Sequence, residues 1–481
     1  MATITSTGIG SGLDVNSIVT QLMAIESRPL TLLQQTQSSL NTQMSAIGTL
    51  QSRMSSLRDA SNALTSVTLW NQTVATSGNT SSVKVSTSSG AAAGSYAVQV
   101  DKLASSQTLA SSAFSSAQAA IGEGTLTIEL GSWDGEPSPT GFTPKDGSTA
   151  VEVTIGPDDN TLEKIRDKIN SAGAGVTASI ITDASGARLS LRSKETGAEN
   201  AFRVSASETV DDGNPATGLS AFAFDAAGSS QMTRSQTAVN AQASINGIPI
   251  TSASNTLEGV ADGITLTLSA ETTSAVEVTV APDTAAIQKS IETFVSAFND
   301  VANYIRDQTK YNADTKVGGT LQGDRLVTSL QSQLRGIVNE GSSASATFER
   351  LTDIGISFTS TGTLSISSTK LTNALGNLPE LRKVLAADGS DTASSGFVDR
   401  FKDFASSVLG AEGAFENRTN SLKGQLDLNS KSQESMQRRL DQTEARLRRQ
   451  YQALDTAMSS LSGTSNYLTQ QLTMLANQSG G

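Results

Sequence analysis

Six leucines spaced seven residues apart constrain the fold of this chain more than any other feature. The spacing is kept over about five heptads, and Tyr451, Met458 and Leu472 form a second apolar series four residues behind it. A heptad repeat of this length predicts an α-helix that buries one seam against another helix. The leucines of the main seam are Leu440, Leu447, Leu454, Leu461, Leu468 and Leu475.

The N-terminal region carries apolar patterns that suit the same seam. Apolar residues from Val15 to Ile25 follow helical spacing, and Asp14 before them is a predicted N-cap. Pro29 then interrupts the helix, because proline has no N–H and fits the first turn of a new one. A heptad series continues in the second helix. The predicted N-terminal seam residues are Ile18, Leu22, Ile25, Leu33, Leu40 and Ile47.

The outer ends of both terminal helices are almost free of charge. The only charged side chain between Met1 and Ile25 is Asp14, and the only one between Gln452 and Gly481 is Asp455. A solvated helix normally carries charges on its outer face, so these segments suit an environment of other helices. The seam fits packing within one chain and packing between copies equally well, and we expect these ends to become ordered on assembly.

The middle of the chain follows the period of β-strands. Apolar and polar residues alternate in short runs between Gln72 and Pro282, separated by Gly, Asn, Asp and Ser clusters. One helix, "NTLEKIRDKINSAG", interrupts them, with Asn160 as its predicted N-cap. Helical patterns resume from Thr284, and "LTDIGISFTSTGTLSISSTKL" predicts a β-hairpin among them.

The predicted fold is therefore α+β and multidomain. Paired N- and C-terminal helices form a coiled coil or helical bundle, and β-rich domains are nested between them. The predicted parts are a terminal helical leg (1–40 with 430–481), a helical bundle with a β-hairpin (41–71 with 284–429), a β domain (72–106 with 236–283) and an outer β-rich domain with one helix (107–235).

Composition argues against catalysis. The chain has no His and no Cys, which removes the commonest general base, thiolate chemistry and zinc–thiolate sites. The acidic doublets Asp158-Asp159 and Asp211-Asp212 lie in turn-like sequence without EF-hand spacing, so we interpret them as turns and caps. We predict that the protein is not an enzyme and has no catalytic residues, cofactor or metal.

The charge balance excludes two further classes of partner. The formal net charge of −12 argues against nucleic acid and anionic membranes. The arginines of "QRRLDQTEARLRR" have no interleaved aromatic residues, which favours a solvated or ion-paired helix face. No apolar run approaches the ~18 residues of a membrane span, so we expect no membrane insertion. The first thirty residues lack the pattern of a cleaved signal peptide.

Several segments resemble one family. "GIGSGLDVNSIVTQLMAIESRPL" is similar to the N-terminal signature of the flagellar hook-associated protein 2 family, the caps of bacterial flagellar filaments. "GGTLQGDRLVTSLQSQLRGIV", the hairpin segment and "LSGTSNYLTQQLTML" resemble its C-terminal region. "NTLEKIRDKINSAGAGVTASIITDASGARLSLRS" resembles an insert shared by flagellin and hook-associated proteins. The joint occurrence of both ends is specific, and 107–235 is the loosest stretch.

The resemblance implies a function in assembly. It implies a homo-oligomeric ring, a pentamer, at the distal tip of the filament, which helps exported flagellin to fold and insert. It also implies an export chaperone, passage through the flagellar type III secretion apparatus without a cleaved signal peptide, and an extracellular location on the flagellum. Two other hypotheses stay open: a flagellin-like filament or hook–filament junction subunit, and adhesion to host surfaces by the β-rich part.

Overall fold

The computed structural model describes residues 14–88, 90–134, 140–225 and 230–478. They divide into a helical unit, formed by 14–69 with 284–478, and a β-rich unit, formed by 70–283. Helices at both ends of the chain with strands between them confirm the predicted α+β fold class. The predicted four-part division within these units stays a prediction.

The helices of the described residues are mostly in the helical unit. They are α1 (Val15–Glu26), α2 (Arg28–Thr65), α3 (Val67–Trp70), α4 (Leu162–Ser171), α5 (Thr284–Thr309), α6 (Arg325–Asn339), α7 (Ser368–Leu375), α8 (Leu378–Ala386), α9 (Phe397–Leu409) and α10 (Ala414–Gln478). Two short 3-10 helices lie at Ala198–Asn200 and Leu219–Phe222.

The strands fall mostly in the β-rich unit, and all pairs are antiparallel. They are β1 (Thr73–Ser77), β2 (Val83–Thr87), β3 (Gly94–Lys102), β4 (Thr108–Ala110), β5 (Gly124–Asp134), β6 (Gly141–Pro144), β7 (Val151–Ile155), β8 (Val176–Asp183), β9 (Gly186–Ser193), β10 (Ala201–Glu208), β11 (Thr233–Gln236), β12 (Ala241–Ile245), β13 (Ile248–Ser252), β14 (Thr256–Ala261), β15 (Ile264–Leu268), β16 (Val276–Pro282), β17 (Tyr311–Asn312), β18 (Val317–Gly318), β19 (Ile356–Phe358) and β20 (Leu364–Ile366).

Among its described residues, the β-rich unit holds two clusters of buried apolar side chains. One lies between a five-stranded sheet (β1-β16-β3-β12-β13) and a three-stranded sheet (β14-β15-β2). The other lies among the sheet of β10, β5, β6 and β7, the sheet β11-β4-β9-β8 and helix α4. Alternation of apolar and polar residues along each strand produces these cores, because one face of each sheet is buried.

Helix α4 corrects one detail of the sequence analysis. Its N-cap is Thr161, whose hydroxyl accepts a hydrogen bond from the Lys164 N–H at 3.4 Å, and not Asn160. Thr161 has an extended backbone, whereas the chain turns into the helix at the next residue. A capping motif in sequence therefore located the start of the helix to within one residue.

Aromatic rings fill the core of the helical unit. Phe401 of α9 lies 5.3 Å from Phe294 and 5.7 Å from Phe298 of α5, measured between ring centroids, and all three are buried. The predicted β-hairpin is confirmed as β19 and β20. Its second strand is held by Asn299 of α5, whose side-chain amide donates to the Leu364 carbonyl at 2.9 Å and accepts from the Leu364 N–H at 2.6 Å.

The glycine-rich segment between α5 and α6 is a tight joint. The Gly319 N–H donates to the Lys310 carbonyl at 2.9 Å, and a Cβ at Gly319 would lie 2.2 Å from the Gln308 carbonyl oxygen. Asp324 then caps α6, accepting from the Leu326 N–H at 3.0 Å. The second oxygen of Asp324 accepts from Arg418 Nε at 2.8 Å, which ties the start of α6 to α10.

Glu380 fastens a loop to helix α8. Its carboxylate accepts hydrogen bonds from Lys383 Nζ, the Ser345 hydroxyl and the Ala346 N–H, each at 2.7 Å. These hydrogen bonds favour the charged carboxylate and lower the pKa of Glu380 from 4.5 to about 2. The bond from Lys383 contributes most, and those from Ser345 and Ala346 in the loop add to it.

This arrangement predicts a pH-dependent stability. A lowered pKa contributes stability above the unfolded pKa of 4.5, and this contribution is lost as the pH falls through about 2. We expect Glu380→Gln to be less stable than the parent at pH 7 and the difference to shrink toward pH 2, as measured by urea unfolding. Glu434→Gln, at an exposed position on α10, is the control. A difference independent of pH would contradict this role.

Candidate functional site in the terminal helices

Helix α1 begins and ends where the sequence predicts. The Asp14 carboxylate accepts from the Ser17 N–H at 3.0 Å, which confirms the N-cap. The helix ends at Glu26, and the Ser27 N–H donates to the Met23 carbonyl at 2.8 Å. Pro29 occupies the first turn of α2, so the N-terminal arm is two helices with a break at Ser27.

Helix α10 runs antiparallel to this arm. Gln433 Nε2 donates to Gln37 Oε1 at 3.2 Å, and farther along α10 Arg448 Nη1 donates to Asn16 Oδ1 at 3.2 Å. Because α10 is continuous, one helix spans both α1 and α2 across the break at Ser27. A groove of about 440 Å³ opens at this junction, and its apolar lining includes Val19, Met23, Leu30 and Leu440.

The structure sorts the predicted seam residues by their position along the helices. Near the bundle, Leu40, Ile47 and Leu440 are buried, with exposed fractions of 8%, 0% and 6%. Where α10 meets α1 and the first part of α2, the seam is half-buried at Ile18, Leu22, Leu33 and Leu447. These two groups are brought together by the pairing of α10 with α1 and α2.

The remaining seam residues are not covered by the described part of the chain. Ile25 is exposed, and so are the last five seam leucines, with exposed fractions from 46% to 66%. They are Leu454, Leu461, Leu468, Leu472 and Leu475. Helix α10 continues through Gly463 to Gln478, about 45 Å beyond Arg448 at 1.5 Å per residue. We name residues 452–478 the distal segment.

The predicted seam omits two pairs of apolar residues that belong to the packing surfaces of α1 and α10. Val15 and Val19 are the buried residues of α1, so the face that α1 buries is centred on them rather than on Ile25. In the distal segment, Tyr467 and Met474 are also exposed and widen the apolar surface beyond one seam. The i, i+4 spacing of the valines and the seven-residue spacing of Tyr467 and Met474 were visible signals.

The acidic doublets hold turns. Asp212 accepts hydrogen bonds from the Thr217 hydroxyl at 2.7 Å and the Asn214 N–H at 2.8 Å, which lower its pKa. Asp211 and Glu208 lie beside it, with carboxylate oxygens of the three residues within 4.8 Å of one another. By distance these groups could hold a cation, but Asp211 accepts from the Gly213 N–H and Glu208 from the Ser220 N–H.

Asp159 of the other doublet forms an ion pair with Lys168, with the two charged groups 2.9 Å apart.

Within the described ranges, no helix combines the length and hydropathy needed to cross a membrane. The arrangement that distinguishes this molecule is thus an exposed apolar helix face, which suits binding to other helices.

Comparisons with known proteins agree on one family. Models described as the flagellar hook-associated protein 2 N-terminus and C-terminus match residues 11–107 and 238–463. A model of the flagellin hook IN motif matches residues 142–195. Together they cover the two ends of the chain and part of its β-rich middle.

Individual relatives match along their whole length. The chain is 33% identical over 485 residues to flagellar hook-associated protein 2 of Escherichia coli strain K12, covering 98% of each chain. It is 32% identical to that of Salmonella typhimurium, covering 99% of each. A crystal structure of the D1-D2-D3 domains of the Escherichia coli flagellar cap protein FliD matches with a TM-score of 0.58 at 31% identity. That match covers 79% of this chain and 99% of the other.

Proposed function

The chain belongs to the flagellar hook-associated protein 2 family, and we propose that its copies form a pentameric ring in which neighbouring terminal helices cover one another's leucines. As a member of this family it is a structural assembly protein that caps the distal end of the bacterial flagellar filament. It therefore belongs to the extracellular flagellum, and its family is structural rather than enzymatic.

The observation that supports the ring is the distal segment. Its leucines are exposed, and Asp455 is its only charged residue. A helix with so little charge gains stability mainly from packing, and burying one leucine side chain is worth about 1.5–3 kcal/mol. Contact between the distal segments of neighbouring copies supplies this burial. In this proposal the seam residues have two roles. The buried and half-buried ones pack α10 against α1 and α2 within a chain, and the exposed ones of the distal segment join neighbouring copies.

The cap requires no active site in this proposal. The ring adopts a symmetry different from that of the helical filament, so that one gap for the next subunit opens at a time. Flagellin emerging at the tip folds and inserts beneath the ring. The distal segments are the parts that meet the filament end, since they extend farthest from the core of the helical unit.

We further propose that the chain reaches the tip through the flagellar type III secretion apparatus, without a cleaved signal peptide. An export chaperone would cover its apolar helices before passage. A chain without cysteine suits this route, because no disulfide can form before or during passage.

Adhesion stays a separate hypothesis, and charge restricts its ligand. The β-rich unit contains 23 acidic and 11 basic side chains, so it accounts for the whole net charge of −12. Such a surface repels sialylated or sulfated glycans at low ionic strength. Binding of the isolated 72–283 fragment to a glycan array tests this hypothesis, with neutral glycans as the expected ligands.

The ring is tested by measuring the mass of the purified full-length chain. We expect native mass spectrometry to give a closed species of five copies and electron microscopy to show rings. Open filaments would support the flagellin-like or junction subunit instead. A monomer at every concentration would contradict the proposal.

A further inference from the structure

An acidic groove lies between the end of α6 and the start of α9. It has a volume of about 640 Å³. Ile337 and Phe404 give it an apolar lining, and the carboxylates of Glu340, Asp391 and Asp403 line it as well. A groove with this lining suits a side chain that has an aliphatic stem and a cationic head.

The walls of the groove are held in place by a buried arginine. The Arg400 guanidinium donates from Nε to the Ser395 carbonyl at 3.1 Å and from Nη2 to the Gly341 carbonyl at 3.0 Å. Its Nη1 is buried without a hydrogen-bond acceptor among the described residues and lies 3.9 Å from Glu340. Arg400 donates its hydrogen bonds mainly to loop carbonyls, and Lys402 Nζ lies 3.7 Å from Asp403. The three carboxylates of the groove therefore face two cations and keep an excess of negative charge.

Asp391 is charged at neutral pH. Hydrogen bonds from the Ser394 backbone and hydroxyl, at 2.8 Å each, hold its pKa below the usual range. Asp403 and Glu340 extend into solvent, with side-chain exposures of 71% and 61%. The groove thus presents a preformed negative surface next to apolar walls.

A complementary surface lies on α10 of the same chain. Arg439, Arg446 and Arg449 stand at i, i+7 and i+10, so they share one helix face, and all are exposed. Neither Arg439 nor Arg446 has an ion-pair or hydrogen-bond partner within the described ranges. The same face carries Gln442. Its side-chain amide oxygen can accept a hydrogen bond, and Arg400 Nη1 of the groove has no such acceptor. We name these residues the arginine stripe.

We propose that the arginine stripe of one copy docks in the acidic groove of a second copy. Arginine suits this contact because its guanidinium binds carboxylates in two-pronged fashion while its stem packs on apolar walls. The groove and the stripe are different surfaces, so the contact is head-to-tail, the kind that closes into a ring. The inference rests on the proposed ring and names residues that orient neighbouring copies in it.

Cross-linking in the full-length chain tests the contact, because its lack of cysteine allows single thiols to be placed at will. One variant carries Asp403→Cys and another Arg439→Cys, both at exposed positions. An arginine–carboxylate contact separates backbones beyond disulfide reach, so a short bismaleimide is used. We expect a cross-linked dimer when the two variants are mixed. Asp441→Cys replaces Arg439→Cys as the control, because it lies on the opposite face of α10 and should give only background.

Charge reversal provides the second measurement. Arg439→Glu with Arg446→Glu should reduce ring yield, and Glu340→Arg with Asp403→Arg in the same chain should restore it. Rings of normal mass without the specific cross-link would overturn this contact and leave the proposed ring standing. Absence of rings in the parent protein would instead overturn the proposed ring itself.

Discussion

Deletion of residues 464–481 should abolish filament capping while leaving the β-rich unit folded. The deletion removes Leu468, Leu472 and Leu475, which are exposed and touch none of the buried cores. It also removes the part of α10 that lies farthest from the pairing of Arg448 with Asn16. In the proposed ring the lost contacts lie between copies, so the isolated chain should lose little stability while the ring should lose its distal interface.

Complementation of a strain without its own cap measures this effect. The truncated chain should leave cells without filaments and with monomeric flagellin in the medium. Deleting residues 1–14 should give the same result by removing the Asp14 cap of α1. Circular dichroism of the purified proteins is the control for folding. Normal motility with either truncation would contradict the account.

Leu468→Glu should disrupt assembly without unfolding the monomer. Leu468 is 55% exposed in the single chain, so a carboxylate at this position remains hydrated there. In the ring the same carboxylate would replace about 1.5–3 kcal/mol of leucine burial per copy with a buried charge. The loss is repeated in every copy, so ring formation should fall below detection.

Thr473→Glu is the matched control, because it places the same charge five residues away, on the face of α10 opposite the leucines, Tyr467 and Met474. Ile47→Ala is expected to have the opposite effect, which is to destabilise the single chain. Ile47 is 0% exposed, so its truncation should cost about 2–5 kcal/mol in the free energy of unfolding of the chain itself. Native mass spectrometry measures assembly and urea unfolding measures stability. Rings of full yield from Leu468→Glu would exclude the distal segment from the interface.

The strongest repeats in the sequence predicted the terminal helices well. The heptads from Leu440 to Leu475 and the Asp14 cap lie where they were expected, because helical period and capping are local properties. The β-hairpin around Gly362 was also readable, since two short alternating runs flank a turn. In these places local preference and tertiary structure agree.

Which face each helix buries was harder to predict. Val15, Ile18, Val19, Leu22 and Ile25 form a stripe wide enough to present more than one face, and α10 covers the side of the two valines. The chain is interrupted at Ser27 between α1 and α2, and Ile25 lies outside the face of α1 that is buried within the single chain. Periodicity identifies an apolar stripe, but the partner decides which part of it is covered.

The groove beside Arg400 could not be predicted at all. Arg400, Gly341 and Ser395 come together only when α6 and α9 pack, and no local motif marks a buried arginine that binds loop carbonyls. Glu380 and Ser345 are a second example, because they are 35 positions apart in the sequence. Long-range polar contacts of this kind depend on the tertiary arrangement of loops, which single-sequence patterns do not encode.

Hydrogen exchange of the distal segment tests the central claim most directly. In the monomer, the backbone amides of 452–478 should exchange rapidly, because a helix without a packed face opens readily. In isolated rings the same amides should become strongly protected, while protection of the buried α2 core around Leu57 stays unchanged. Rapid exchange of 452–478 in the ring would contradict the claim that neighbouring copies cover these leucines.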